Sequence, residues 1–250
     1  MIKNIICAAF ALMLSLSAAS AQSEAGVLSV AARVGFGVGG TAPVGLPAEI
    51  RGLNGFHPRA NLSVGADVCR KFSSTWGAQL SLRFENKGMW TDADVKGYSM
   101  EMRKGGDAVS GVFTGGVVTE VDQWMFTIPL MATADVRKVR VHAGPYVSLL
   151  VSRDFSGYAY DGYIRQGAPT GPKVMIGSEP GSRGDYDFSD DMRKAQFGLM
   201  AGADWAFLGH LGAYLDLSWG LTGVFHSNFK TIEQTMYPIY GTVGLFYRFN

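Results

Sequence analysis

The chain has 250 residues, 47% hydrophobic and 12% aromatic, with 33 glycines and a formal net charge of +1. So even a balance, with no basic stripe, excludes the electrostatic footprint of a nucleic-acid-binding protein. Cys7 and Cys69 are the two cysteines, which excludes a disulfide scaffold.

The first element expected is a leader. Lys3 gives a positive start, 5–16 is an apolar run too short to span a bilayer, and Ala19-Ser20-Ala21 is a small-x-small cleavage site. The expected division is therefore a signal peptide, 1–21, and one mature domain, 22–250. Cleavage removes Lys3 and Cys7, leaving a neutral chain whose single thiol, Cys69, has no intrachain partner. Cys7 lies inside the apolar run, where it cannot serve as a lipoprotein anchor. No later apolar run reaches the ~18 residues of a spanning helix.

Eight strands are expected: 30–38, 61–71, 75–88, 121–132, 138–152, 194–206, 210–223 and 238–249. The clearest lies in 76–87. Trp76, Ala78, Leu80, Leu82 and Phe84 form one face; Gln79, Ser81, Arg83, Glu85 and Lys87 form the other. Most of the eight reach or exceed the ~9–11 residues of a tilted membrane-crossing strand. The connections alternate. Long segments at 39–60, 89–120 and 153–193 and a medium one at 224–237 are interleaved with short turns at 72–74, 133–137 and 207–209. A soluble sandwich or lipocalin has no reason to put every long loop at one end, whereas an outer-membrane barrel has short periplasmic turns and long extracellular loops. The expected fold is all-β: a single eight-stranded antiparallel up-and-down transmembrane β-barrel with long extracellular loops. Trp76, Trp205 and Phe249 are expected outward near the periplasmic rim, with Trp124 and Trp219 outward near the opposite rim. Pro129 and Pro145 fall inside strands of a ring with no edge, so bulges or nearby strand ends are expected there.

Several ordered segments carry a family resemblance. They are Phe126-Thr127-Ile128-Pro129-Leu130, Ala143-Gly144-Pro145-Tyr146-Val147, Gln196-Phe197-Gly198-Leu199 and Gly244-Leu245-Phe246-Tyr247-Arg248-Phe249. With Leu80 to Gly88, they resemble the PorT-like outer-membrane β-barrel family of Bacteroidetes over nearly the whole mature chain. The resemblance implies fold and outer-membrane location. It implies no activity, since most members have none assigned and fold alone does not transfer the founding member's role in protein secretion. The final Asn250 departs from the aromatic ending of many such barrels.

Alternation sends Arg33, Asp67, Arg83, Glu85, Lys87, Gln123, Arg140, His142, Tyr146, Gln196, Asp204, Tyr214, Asp216 and Arg248 to the lumen. An eight-stranded ring is just wide enough for side chains to fill it. Unpaired buried charge is costly, so a plug of paired charges is expected, with Glu85, Asp67 or Asp204 beside Arg83. An ion path or a lumenal ligand site are the alternatives. Arg33 to Gly40 is glycine-rich, but no helix follows to receive a phosphate, so glycines facing a narrow lumen explain it.

His226-Ser227-Asn228 is similar to the His-x-Ser-Asn strip of lipid A deacylases. There the histidine and serine, two apart on a strand, share a face, whereas here adjacent residues face opposite ways. No catalytic residue is expected. The four histidines are scattered, and Asp92-x-Asp94 and Asp185-x-Asp187 with Asp190-Asp191 lack the full spacing of a calcium loop. No metal or other cofactor is expected. The sequence thus implies a small non-enzymatic barrel in contact with outer-membrane lipid. Loops 89–120 and 153–193, the latter carrying Tyr158, Tyr160, Tyr163 and Tyr186, would meet an extracellular ligand or other envelope proteins. An accessory role in protein secretion and a lipid-modifying enzyme are the alternatives.

Overall fold

A computed structural model describes residues 28–45, 47–229, 231–232 and 235–249. The expected leader, 1–21, and Asn250 lie outside the described residues. Among the described residues, eleven strands make one antiparallel sheet: β1 (Leu28–Pro43), β2 (Ile50–Pro58), β3 (Asn61–Lys71), β4 (Trp76–Lys104), β5 (Asp107–Val136), β6 (Val139–Gln166), β7 (Lys173–Ile176), β8 (Gly184–Asp187), β9 (Ala195–Leu208), β10 (Leu211–Gly220) and β11 (Met236–Arg248).

Eight of them close a ring. Taken in chain order, β1, β3, β4, β5, β6, β9, β10 and β11 each pair with the next, and β11 returns to β1 through pairs from Ala31–Arg248 to Pro43–Met236. This is the expected eight-stranded up-and-down barrel. Alternation sorts its two faces. Along β1, Arg33, Gly35 and Gly37 are buried inside, while Val34, Phe36 and Val38 stand about half exposed outside. Leu215, Leu217 and Trp219 of β10 and Val243 and Leu245 of β11 continue the apolar exterior. Trp76, Trp205 and Phe249 are exposed near the short turns, and Trp219 near the other end. Trp124 is only half-exposed, because its ring stacks on Phe84 at 5.1 Å.

The two prolines interrupt pairing without a bulge. Pro129 faces Tyr146 in the same β5–β6 register that resumes at Ala132–Ala143, and Pro145 sits in an unbroken β6–β9 register opposite Leu199. A missing N–H removes a bond but adds no residue, so nothing shifts.

The long segments are not loops. β4, β5 and β6 run for 29, 30 and 28 residues, far beyond what a bilayer needs, and so carry 89–120 and much of 153–193 as sheet. Gly105 and Gly106, both with positive φ, make the two-residue turn joining β4 to β5. β2 lies along β4 from Val95 to Met89, and β7 lies along β6. β8 pairs with both β6 and β4, drawing the protruding strands into a second, smaller closure. This external sheet has its own apolar core, including Met102, Phe113, Val121, Phe155, Ile164 and Met192. Phe225 and Phe229, in the segment between β10 and β11, cover it. Phe225 meets Phe155 edge-on at 4.8 Å, and Phe229 meets Phe188 at 5.1 Å. One sheet thus encloses two interiors, a charged one within the ring and an apolar one beyond it.

Candidate functional site

The ring interior is built from side chains that alternate inward on facing strands. Arg33 of β1 is its hub. Its Nε donates to Asp67 of β3, its Nη2 to Asp204 of β9 at 2.7 Å, and its Nη1 lies 3.5 Å from Asp216 of β10. Its guanidinium also lies over the Tyr214 ring, 4.7 Å from the centroid. Arg83 pairs with Asp216 at 2.8 Å, and His142 Nε2 lies 2.6 Å from the other oxygen of that carboxylate. The expectation that Arg83 would sit against Glu85, Asp67 or Asp204 is therefore corrected. Glu85 shares its own strand face with Lys87, whose Nζ is 3.1 Å away, and accepts a 2.6 Å hydrogen bond from Thr127. Lys87 also lies 5.3 Å from the Tyr146 ring centroid and 5.6 Å from that of Tyr240. Gln196 donates to Gln123 at 2.9 Å.

Arg33, Asp67, Arg83, Glu85, His142, Asp204 and Asp216 are all buried. Arg140 is also buried but reaches the turn end, donating at 2.7 Å to Asp135, which also pairs with Lys71. Burial pushes the Asp135 carboxyl up, yet the hydrogen bonds from Arg140 and Lys71 outweigh it and hold the group below its ordinary value. Arg248 is half-buried at the same end, with its guanidinium 5.7 Å from the Phe246 ring centroid. Glycines make the room. A Cβ on Gly202 would collide with Asp216 and His142, and one on Gly35 with the Tyr214 hydroxyl. Among Ser29, Arg33, Asp67, Gln79, Arg140 and Asp204 the free space is about 10 Å³, about one water.

A second site, which sequence reasoning missed, lies above the ring. An apolar cavity of about 360 Å³ is bounded by β1 at Gly40 to Pro43, by β2, and by the external core residues Met89, Val95, Met100, Phe155, Tyr186 and Phe188. That volume lies within the range of small-molecule sites. Tyr186 donates to the Val118 carbonyl at 2.8 Å and meets the Thr119 hydroxyl at 2.7 Å; burial pushes its phenol well up. Nearby, Tyr160 donates to Asp92 at 2.8 Å, and its phenol is pushed up to about 12 by burial and then by that carboxylate and Asp94. The only sequence signal was the density of Met, Val and Phe in 89–121, hidden because its alternation changes phase.

The remaining motifs assemble no chemistry. His226 and Ser227 are both exposed on the 224–232 segment, and the His226 backbone N–H is given to Asp191. Asp185 takes Arg183 at 2.7 Å, and Asp187 accepts from the Ser189 hydroxyl at 2.6 Å. Among the described residues, no cluster of three or more His, Cys, Asp or Glu is placed to hold a metal.

A closed ring of eight antiparallel strands, apolar outside and charged inside, is a transmembrane β-barrel. Residues 20–226 match the family described as outer membrane protein beta-barrel domain, and the chain belongs to that family. The protein is an outer-membrane barrel. The matched stretch ends before β11, the strand that closes the ring on β1. Among solved structures, the chain is similar to Ail, the attachment invasion locus protein of Yersinia pestis, in complex with the heparin analogue sucrose octasulfate. Identity is 10% over 90% of this chain and 99% of that one, with a TM-score of 0.40. Neisserial surface protein A is similar at 10% identity over 88% and 96% of the two chains, with a TM-score of 0.29. Comparison with curated proteins finds no match.

Proposed function

We propose that this is a non-enzymatic outer-membrane barrel with a plugged lumen, which binds a ligand or scaffolds an envelope partner through the sheet beyond its ring. One observation carries the reading. β4, β5 and β6 do not end in slack loops but continue into a sheet with a second apolar core, a rigid platform where a passive anchor would need only turns. The lumenal carboxylates are engaged by Arg33, Arg83, Lys87 and His142, which supports a structural plug rather than an acid/base pair. The short turns then face the periplasm and the external sheet faces outward, after removal of 1–21. The ordered segments around Pro129, Pro145 and Gly198 support assignment to the PorT-like barrels of Bacteroidetes.

The test is capture from native outer membranes with the full protein and with a version whose 97–112 is shortened to a two-residue turn. Ligand or partner lost with the tip supports the reading. Capture unchanged by the deletion, in a protein that still shifts on heating in gels, sinks it.

A further inference from the structure

The apolar cavity has a definite mouth. Phe56 approaches to 3.5 Å of where a Cβ on Gly40 would stand, and Leu53 and Phe56 of β2 are exposed beside it. Gly40 follows Val38, the third of the exposed apolar side chains on β1, so the mouth opens at the upper edge of the lipid-facing belt. Arg51, five residues before Phe56 on β2, also lines the cavity, is exposed, and makes no ion pair among the described residues. Inside, the Tyr186 hydroxyl is engaged with Val118 and Thr119, while the Thr41 hydroxyl is buried without a hydrogen-bond partner among the described residues. The walls are mostly apolar, and among the described residues Arg51 is the one charged side chain that lines them.

Size narrows the occupant. An apolar cavity of about 150 Å³ takes benzene, so about 360 Å³ admits on the order of a dozen non-hydrogen atoms. That suits one alkyl chain and is too small for a two-chain lipid. We propose that the cavity binds a free straight-chain carboxylate of about ten to twelve carbons, its chain among Met89, Met100 and Phe155 and its head on Arg51. This deepens, and rests on, the reading of the external sheet as the binding part.

The experiment uses the mature protein in lipid nanodiscs, since detergent would compete for the cavity. The probe is tritiated dodecanoic acid; the competitors are unlabelled dodecanoic acid and dodecanol. Saturable retention above that of empty discs, displaced by unlabelled dodecanoic acid, is expected. Arg51→Gln should weaken dodecanoic acid about fivefold, the size of an exposed ion pair, and leave dodecanol unchanged. Ala93→Trp, which fills the cavity, should abolish saturable binding while heat-shifted gel mobility reports a folded barrel. Should that variant not fold, Ala93→Cys in a Cys69→Ala protein gives the second measurement, with dodecanoic acid slowing its thiol labelling. No saturable signal in the wild type, undiminished binding by folded Ala93→Trp, or no protection of the thiol would each overturn the proposal. Capture through the external tip is scored separately, so the cavity can fail while the binding role of the sheet stands.

Discussion

Replacing Arg33 with leucine puts the plugged interior on trial. The guanidinium faces three carboxylates, and its removal affects them unequally. Asp216 keeps Arg83 at 2.8 Å and His142 at 2.6 Å, whereas Asp67 and Asp204 lose their nearest cation. Breaking one dry buried pair costs about 3–5 kcal/mol. Because Asp67 and Asp204 share one partner and relax together, the sum is not additive, and a loss of about 5 kcal/mol is expected. The neighbouring residue supplies the control. Val34 points outward, so Val34→Arg should cost ~2–4 kcal/mol at the midplane through contact with lipid instead. Urea unfolding in lipid vesicles, followed by tryptophan fluorescence, gives both values. Adding Asp204→Asn to Arg33→Leu should recover part of the loss, whereas the same change in the wild type should destabilise. A loss below ~1 kcal/mol for Arg33→Leu would mean a hydrated, screened lumen and would refute the plug.

Gly202→Ala should destabilise by about 1–3 kcal/mol in the same assay, because its methyl group drives Asp216 and His142 apart. The depressed Asp135 carboxyl stabilises the fold above its unfolded pKa of ~3.9, and that contribution is lost as pH falls through the lower folded value. Asp135→Asn should therefore cost at most ~1 kcal/mol at neutral pH, and the gap to wild type should close below about pH 4; a gap that widens in acid contradicts the assignment. On intact cells, cysteines placed in 100–110 or 165–185 of a Cys69-free protein should react with an impermeant reagent, and those at Ser73 or Ser74 should not; the reverse pattern inverts the topology. N-terminal sequencing of membrane-embedded protein should begin at Gln22. Pure protein in planar bilayers should form no stable channel.

The eight ring strands were legible because a closed barrel in lipid imposes one rule along each spanning strand. Side chains alternate between lipid and lumen, so Arg33, Arg83 and Glu85 could be assigned inward from Val34, Leu82 and Phe84 alone. The charges destined for the interior were legible for the same reason. Their partners were not, since Asp216 reaches Arg83 only because the register sets β10 across the lumen from β4. The external sheet escaped for a different reason. Gly97, with positive φ, adds a residue to β4 between Lys96 and Tyr98, so the inward set passes from Met89 and Val95 to Met100 and Met102. β6 carries an extra residue twice, near Val151 and near Asp161, so its inward set moves from Ser148 to Phe155 and Ala159 and then to Ile164. Each inserted residue swaps the faces, and a pattern that reverses phase reads along the sequence as irregular loop. Alternation along the chain was enough to define a strand-crossed barrel and its charged interior. Which charges meet, and that bulged strands carry a second, apolar interior beyond the ring, emerged only from the folded chain, because bulge position and cross-ring register depend on neighbouring strands that no local pattern contains.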